Sequence, residues 1–109
     1  MQKVTLEDLE IRYRNIRKQN LRVRQCSVSG CKNPRDRVPL PLLLGEDTCC
    51  AYHRLLFDFW LYGVVEGDVT GLSQRARRWK FAHWMNNHSK DELDRIVLRM
   101  AQDRINWEC

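Results

Sequence analysis

Cys26-Ser-Val-Ser-Gly-Cys31 and Cys49-Cys50-Ala-Tyr-His53 are the two stretches that decide how this chain folds. Eighteen residues lie between Cys31 and Cys50. Two short donor clusters joined by a loop are how a chain builds a tetrahedral zinc site. The expected ligands are Cys26, Cys31, Cys50 and His53. Cys49 is the alternative to Cys50. Cys50 and His53 stand at i and i+3, Cys49 and His53 at i and i+4, and either pair shares one helical face. The neighbouring cysteine is then a small buried apolar side chain. Thiolates with an imidazole favour zinc over magnesium or calcium. Four protein donors close the coordination sphere, so one Zn2+ is expected in a structural role. Gly30 fits the tight backbone of a metal knuckle, where a positive φ is often required.

Working outward, 109 residues predict a single zinc-stabilised domain, 1–109. A chain of this size buries only about two-thirds of its unfolded surface, so a metal staple is useful to it. The reading divides it into a basic helix (1–25), a knuckle with a central helix (26–63) and a helical hairpin (70–109). The fold class expected is mainly α, with four helices around the zinc knuckle. Val38 to Leu44 alternates prolines with leucines. That excludes a helix there, and a short hairpin fits residues 33 to 46.

Thr5 and Asp8 predict a helix start, and Leu6, Leu9, Tyr13 and Ile16 form one apolar stripe over residues 5 to 22. Asp47 or Thr48 is the expected cap of the next helix. That helix, through Leu55 to Gly63, is apolar almost all round and reads as central. Thr70 or Ser73 caps a third helix, about 72 to 86. It interleaves Arg75, Arg77, Arg78 and Lys80 with Trp79, Phe81 and Trp84. Such interleaving can serve phosphate contact and base stacking. The preferred reading is an amphipathic helix with Ala76, Trp79, Ala82 and His83 inward and its cations in water. Ser89-Lys-Asp-Glu92 is a capping box that opens a fourth helix over 90 to 106.

Net charge is +5, and it is unevenly placed. Residues 1–54 hold 11 Lys/Arg against 6 Asp/Glu, whereas residues 55–109 hold 8 of each. From Ile11 to Pro34 there is no acid. This is the footprint of a polyanion binder, although a solvated helix face also accommodates such charge. The expected phosphate contacts are Arg12, Arg14, Arg17, Lys18, Arg22, Arg24, Lys32, Arg35 and Arg37. The function expected is therefore a small nucleic-acid-binding regulator or accessory protein. The alternative is a protein-binding inhibitor or adaptor acting on a nucleoprotein machine.

The start, Met-Gln-Lys-Val-Thr, lacks a signal-like apolar region. The apolar run Leu55 to Val65 is too short to span a bilayer. A cytoplasmic location with no membrane partner is expected, where five cysteines stay reduced. No small-molecule substrate is indicated. There is no phosphate loop, nucleophile elbow or H-E-x-x-H, so no enzyme is expected.

Cys26-x4-Cys31-Lys-Asn-Pro and Cys50-Ala-Tyr-His53-Arg resemble the treble-clef zinc modules of small phage and mobile-element proteins, including HNH-type nucleases. The resemblance covers residues 26 to about 60. It implies a knuckle, a loop and a helix carrying the last two ligands, with nucleic acid or protein as partner. HNH nucleases use a histidine base with a second metal. The segment between these ligand pairs contains no histidine, which argues against cleavage.

Overall fold

A computed structural model of the protein describes residues 3–36, 48–65, 69 and 71–108, with side chains as far as Asp103. It contains four α-helices: α1 (Leu6–Gln19), α2 (Ala51–Phe59), α3 (Gln74–Asn86) and α4 (Lys90–Glu108). A π-helical turn, Trp60–Val64, follows α2 directly. The mainly α, four-helix class is as the sequence predicts. The proposed hairpin over 33–46 falls almost wholly outside the described residues, as do Arg37 and the Asp47 cap. The chain forms two compact units, 1–54 and 55–109.

In the first unit, α1 is capped as its sequence predicts. The Thr5 N–H and Oγ1 both donate to the Asp8 carboxylate, at 2.8 and 3.3 Å. Leu9 and Tyr13 are buried and Ile16 is half-buried, whereas Leu6 is already exposed at the first turn. The helix ends at Gln19 rather than near residue 22. Asn20 is the reason. It adopts an extended backbone, its side-chain oxygen accepts the Arg22 N–H at 3.0 Å, and its carbonyl accepts the Val23 N–H. Asparagine side chains compete with helical bonding in this way. Leu21 is left 93% exposed, and Arg22 and Arg24 stand on a turn and an extended segment instead of the helix.

Buried Asp36 then ties the unit together. The Arg12 guanidinium pairs with it in a two-point contact through Nε and Nη2. Its N–H donates to the Cys49 carbonyl at 3.0 Å, and its own carbonyl accepts Arg54 Nη1 at 2.8 Å. A bidentate arginine–carboxylate contact is among the stronger polar links a protein makes.

The second unit packs around aromatic side chains. Leu55, Leu56, Phe57, Trp60 and Leu61 are all buried, so the near absence of a polar face on this segment does mark a core helix. Phe81 sits 5.1 Å from Phe57, 5.6 Å from Trp60 and 6.2 Å from Trp84, centroid to centroid. Ser73 caps α3, its Oγ accepting the Ala76 N–H at 3.2 Å. Ser89 caps α4, accepting the Glu92 N–H and donating to its carboxylate, both at 3.2 Å. Val97 is fully buried at the centre of the α4 stripe.

The inward face of α3 departs from the expectation. Arg77, Phe81 and Met85 are buried, while Trp79 is 68% exposed and His83 is exposed with it. Two apolar stripes compete on this helix, and the one carrying Phe81 and Met85 occupies the core.

Among the described residues, no helix is long and apolar enough to cross a membrane.

Candidate metal centre

The knuckle is built by short-range backbone bonding. The Cys26 N–H donates to the Asn33 carbonyl at 2.8 Å, and the Cys31 N–H donates to the Val28 carbonyl at 3.1 Å. Gln25 and Pro34 form an antiparallel bridge at its base. Gly30 takes φ +82°, the left-handed conformation its position predicts. A Cβ built there meets nothing within 4 Å, so only backbone strain opposes a side chain. Gly30→Ala should therefore cost about 1–2 kcal/mol in urea denaturation, with zinc stoichiometry unchanged.

The second donor pair arrives at the start of α2. The helix begins at Ala51, so among the described residues its cap is Cys50 rather than Thr48. The Cys50 carbonyl accepts the Arg54 N–H at 2.9 Å, and its Sγ receives the His53 N–H at 3.5 Å. The same sulfur thus serves as helix cap and prospective metal donor. Ser27 fastens this segment to the knuckle. Its N–H donates to the Thr48 carbonyl at 2.9 Å, and its Oγ lies 3.0 Å from Thr48 Oγ1.

These elements bring one donor atom each from Cys26, Cys31, Cys50 and His53 within 4.8 Å of one another. Cys31 Sγ and Cys50 Sγ are 3.9 Å apart, too far for a disulfide. His53 Nδ1 lies 3.6 Å from Cys26 Sγ and 3.3 Å from Cys50 Sγ. Tetrahedral zinc has bonds of about 2.3 Å to sulfur and about 2.0–2.1 Å to nitrogen, which gives donor–donor edges of about 3.5–3.8 Å. Three of the cluster's six edges, at 3.3, 3.6 and 3.9 Å, lie close to those values. Its three thiols and an imidazole are consistent with a structural zinc site in a mostly helical domain. Cys49 is buried beside the cluster but outside the four-atom group, with its Sγ 3.9 Å from Ser27 Oγ.

The thiols do not ionise independently. Cys26 is held far below the ordinary thiol range, first by hydrogen bonding from Cys49 and then from Cys50. Cys50 is pushed well up by its hydrogen bond to Cys26 and by burial, and Cys31 is raised chiefly by burial. A cation is what permits all three sulfurs to be ionised together.

Tyr13 completes the surroundings. It is buried, and its hydroxyl accepts the Tyr52 N–H at 3.3 Å beside Cys50. Burial, first of all, pushes this phenol above its ordinary value. Its position on the α1 stripe marks it as a core residue, but a contact with a donor sulfur leaves no trace in sequence spacing. Asp36 escapes sequence reasoning for a similar reason, since it stands in a run of turn-forming residues.

The basic residues are not equivalent. Arg12 is held by Asp36. Arg17 Nη2 donates to the Lys32 carbonyl at 3.1 Å, and Arg35 Nε donates to the Gln25 carbonyl at 2.9 Å, so both brace the knuckle. Arg14, Arg17, Lys18, Arg22, Arg24 and Lys32 are exposed. A groove of about 810 Å3 runs beside α1, lined by Ile11, Ile16 and Val23, by Arg12, Arg22, Arg24 and Arg35, and by the carboxylates of Asp8 and Asp36.

No protein-family model, curated protein or solved structure matches this chain.

Proposed function

We propose that the protein is a zinc-stabilised nucleic-acid-binding regulator or accessory factor, and that Cys26, Cys31, Cys50 and His53 hold one structural Zn2+. On this reading the knuckle, the connecting loop and the donor-bearing start of α2 form a treble-clef-like module. Four protein donors leave no open coordination position, so the ion has no catalytic part.

The observation that carries the reading is the groove beside α1. Four arginines (Arg12, Arg22, Arg24 and Arg35) line it against two carboxylates, Asp8 and Asp36, while Arg14, Arg17, Lys18 and Lys32 add exposed charge in the same unit. Cations arranged along a groove contact phosphates and confer affinity with little sequence information. Arg12 contributes less to this field than its sequence position implies, because Asp36 balances it.

Titration of labelled duplex DNA, single-stranded DNA and RNA between 50 and 200 mM salt tests this. About five phosphate contacts should weaken duplex affinity roughly 500-fold over that range. The Arg22→Glu/Arg24→Glu double variant should bind more weakly and lower the salt slope by about two. Absence of binding at about 50 mM salt, or an unchanged double variant, removes the reading in favour of a protein partner.

A further inference from the structure

We infer that the outer face of α3 is a stacking platform for single-stranded nucleic acid, centred on Trp79. Tryptophan is highly buried on average, yet this one is 68% exposed. It is also held in place. The Trp79 and His83 rings lie parallel, with an interplanar angle of 7° and centroids 5.7 Å apart. An ordered indole offers a base a flat partner at low entropic cost.

The charges around it favour an anionic strand over an apolar partner. Arg75, Trp79 and His83 recur at i, i+4 and i+8, about 6 Å apart along one face. All three are exposed, as is Lys80 next to the indole. α3 contains no acid along its whole length. Arg75 stands exposed in its first turn, whereas Arg77 is buried and Arg78 half-buried. Cations at a helix N-terminus oppose the helix dipole, by about 0.3–1 kcal/mol each where exposed. The dipole therefore does not favour exposed Arg75, but a phosphate bound there would. Base stacking on an aromatic ring flanked by cations is the usual mode of sequence-tolerant single-strand binding.

The inference takes its ligand class from the nucleic-acid reading but uses different residues, in the other unit. Its test is anisotropy of labelled dT12, rU12 and a 12-base-pair duplex with the full chain at fixed salt. Trp79→Ala should weaken the single-stranded probes by roughly 10-fold or more, while duplex affinity stays near wild type. Trp79→Phe should recover most of the loss. The dT12 and rU12 arms tell DNA from RNA. Equal single-strand affinity in Trp79→Ala overturns the inference, as expected if this face meets only another protein. An equal loss on duplex and single strands overturns it too. If Arg22→Glu/Arg24→Glu has no effect while Trp79→Ala weakens dT12, the groove is wrong and the α3 platform stands.

Discussion

Cys50→Ser abolishes zinc binding and unfolds residues 1–54, while Cys49→Ser does neither. That contrast is the largest effect expected here. Cys50 supplies a donor to the four-atom cluster and caps α2 with the same sulfur. Its replacement removes both, in a side chain with no solvent exposure. Structural zinc contributes on the order of 10 kcal/mol to small metal-dependent folds, which is comparable to the total stability of a typical domain. Among its described residues the first unit has one 14-residue helix and few other regular elements to replace that contribution. Cys49 stands next in the chain but outside the cluster, so its substitution should cost about 1 kcal/mol. Native mass spectrometry should show one zinc in the wild type and in Cys49→Ser, and none in Cys50→Ser. Hydrogen exchange should show amide protection lost from Leu6–Gln19 and the knuckle when a chelator is added. Acidification should release the ion as well, because each thiolate must take up a proton to leave. Retained protection of α1 after chelation would refute a metal-dependent fold.

The second large effect separates two aromatic residues two positions apart. Phe81→Ala should cost about 3–5 kcal/mol, because it empties the space between Phe57, Trp60 and Trp84. Trp79→Ala should change stability by no more than about 0.5 kcal/mol, since most of the indole already meets solvent. Urea denaturation of both variants measures the difference. A reversed order, with Trp79 costly and Phe81 tolerated, would mean that α3 is rotated about its axis.

That rotation shows where sequence periodicity stops being decisive. On α4 one stripe is apolar and the opposite face is charged, so Ser89, Glu92 and Val97 could be placed without knowing any neighbour. On α3 the aromatics occupy both faces. Local spacing then permits two orientations, and packing against Phe57 and Trp60 selects between them. The candidate donor cluster was legible, except for the choice between Cys49 and Cys50, because zinc chemistry restricts both residue type and spacing. The end of α1 was less so. Its basic residues continue the helical pattern through Arg22, and the side-chain bond from Asn20 stops the helix first. The partnering of Arg12 with Asp36 joins residues 24 positions apart, and no local pattern reports it.

Two of the basic residues carry a consequence for how metal and polyanion communicate. Arg17 bonds the Lys32 carbonyl and Arg35 bonds the Gln25 carbonyl, so the cationic surface is anchored to the backbone of the knuckle itself. A polyanion that needs this arrangement binds only the zinc-loaded form. Reciprocity then requires that it raise zinc affinity by the same factor that zinc raises its own. On the proposed function, the two ligands are thermodynamically linked without touching. An oligonucleotide that occupies the groove should slow the loss of zinc to a chelator, and zinc depletion should release nucleic acid although no phosphate contacts the metal.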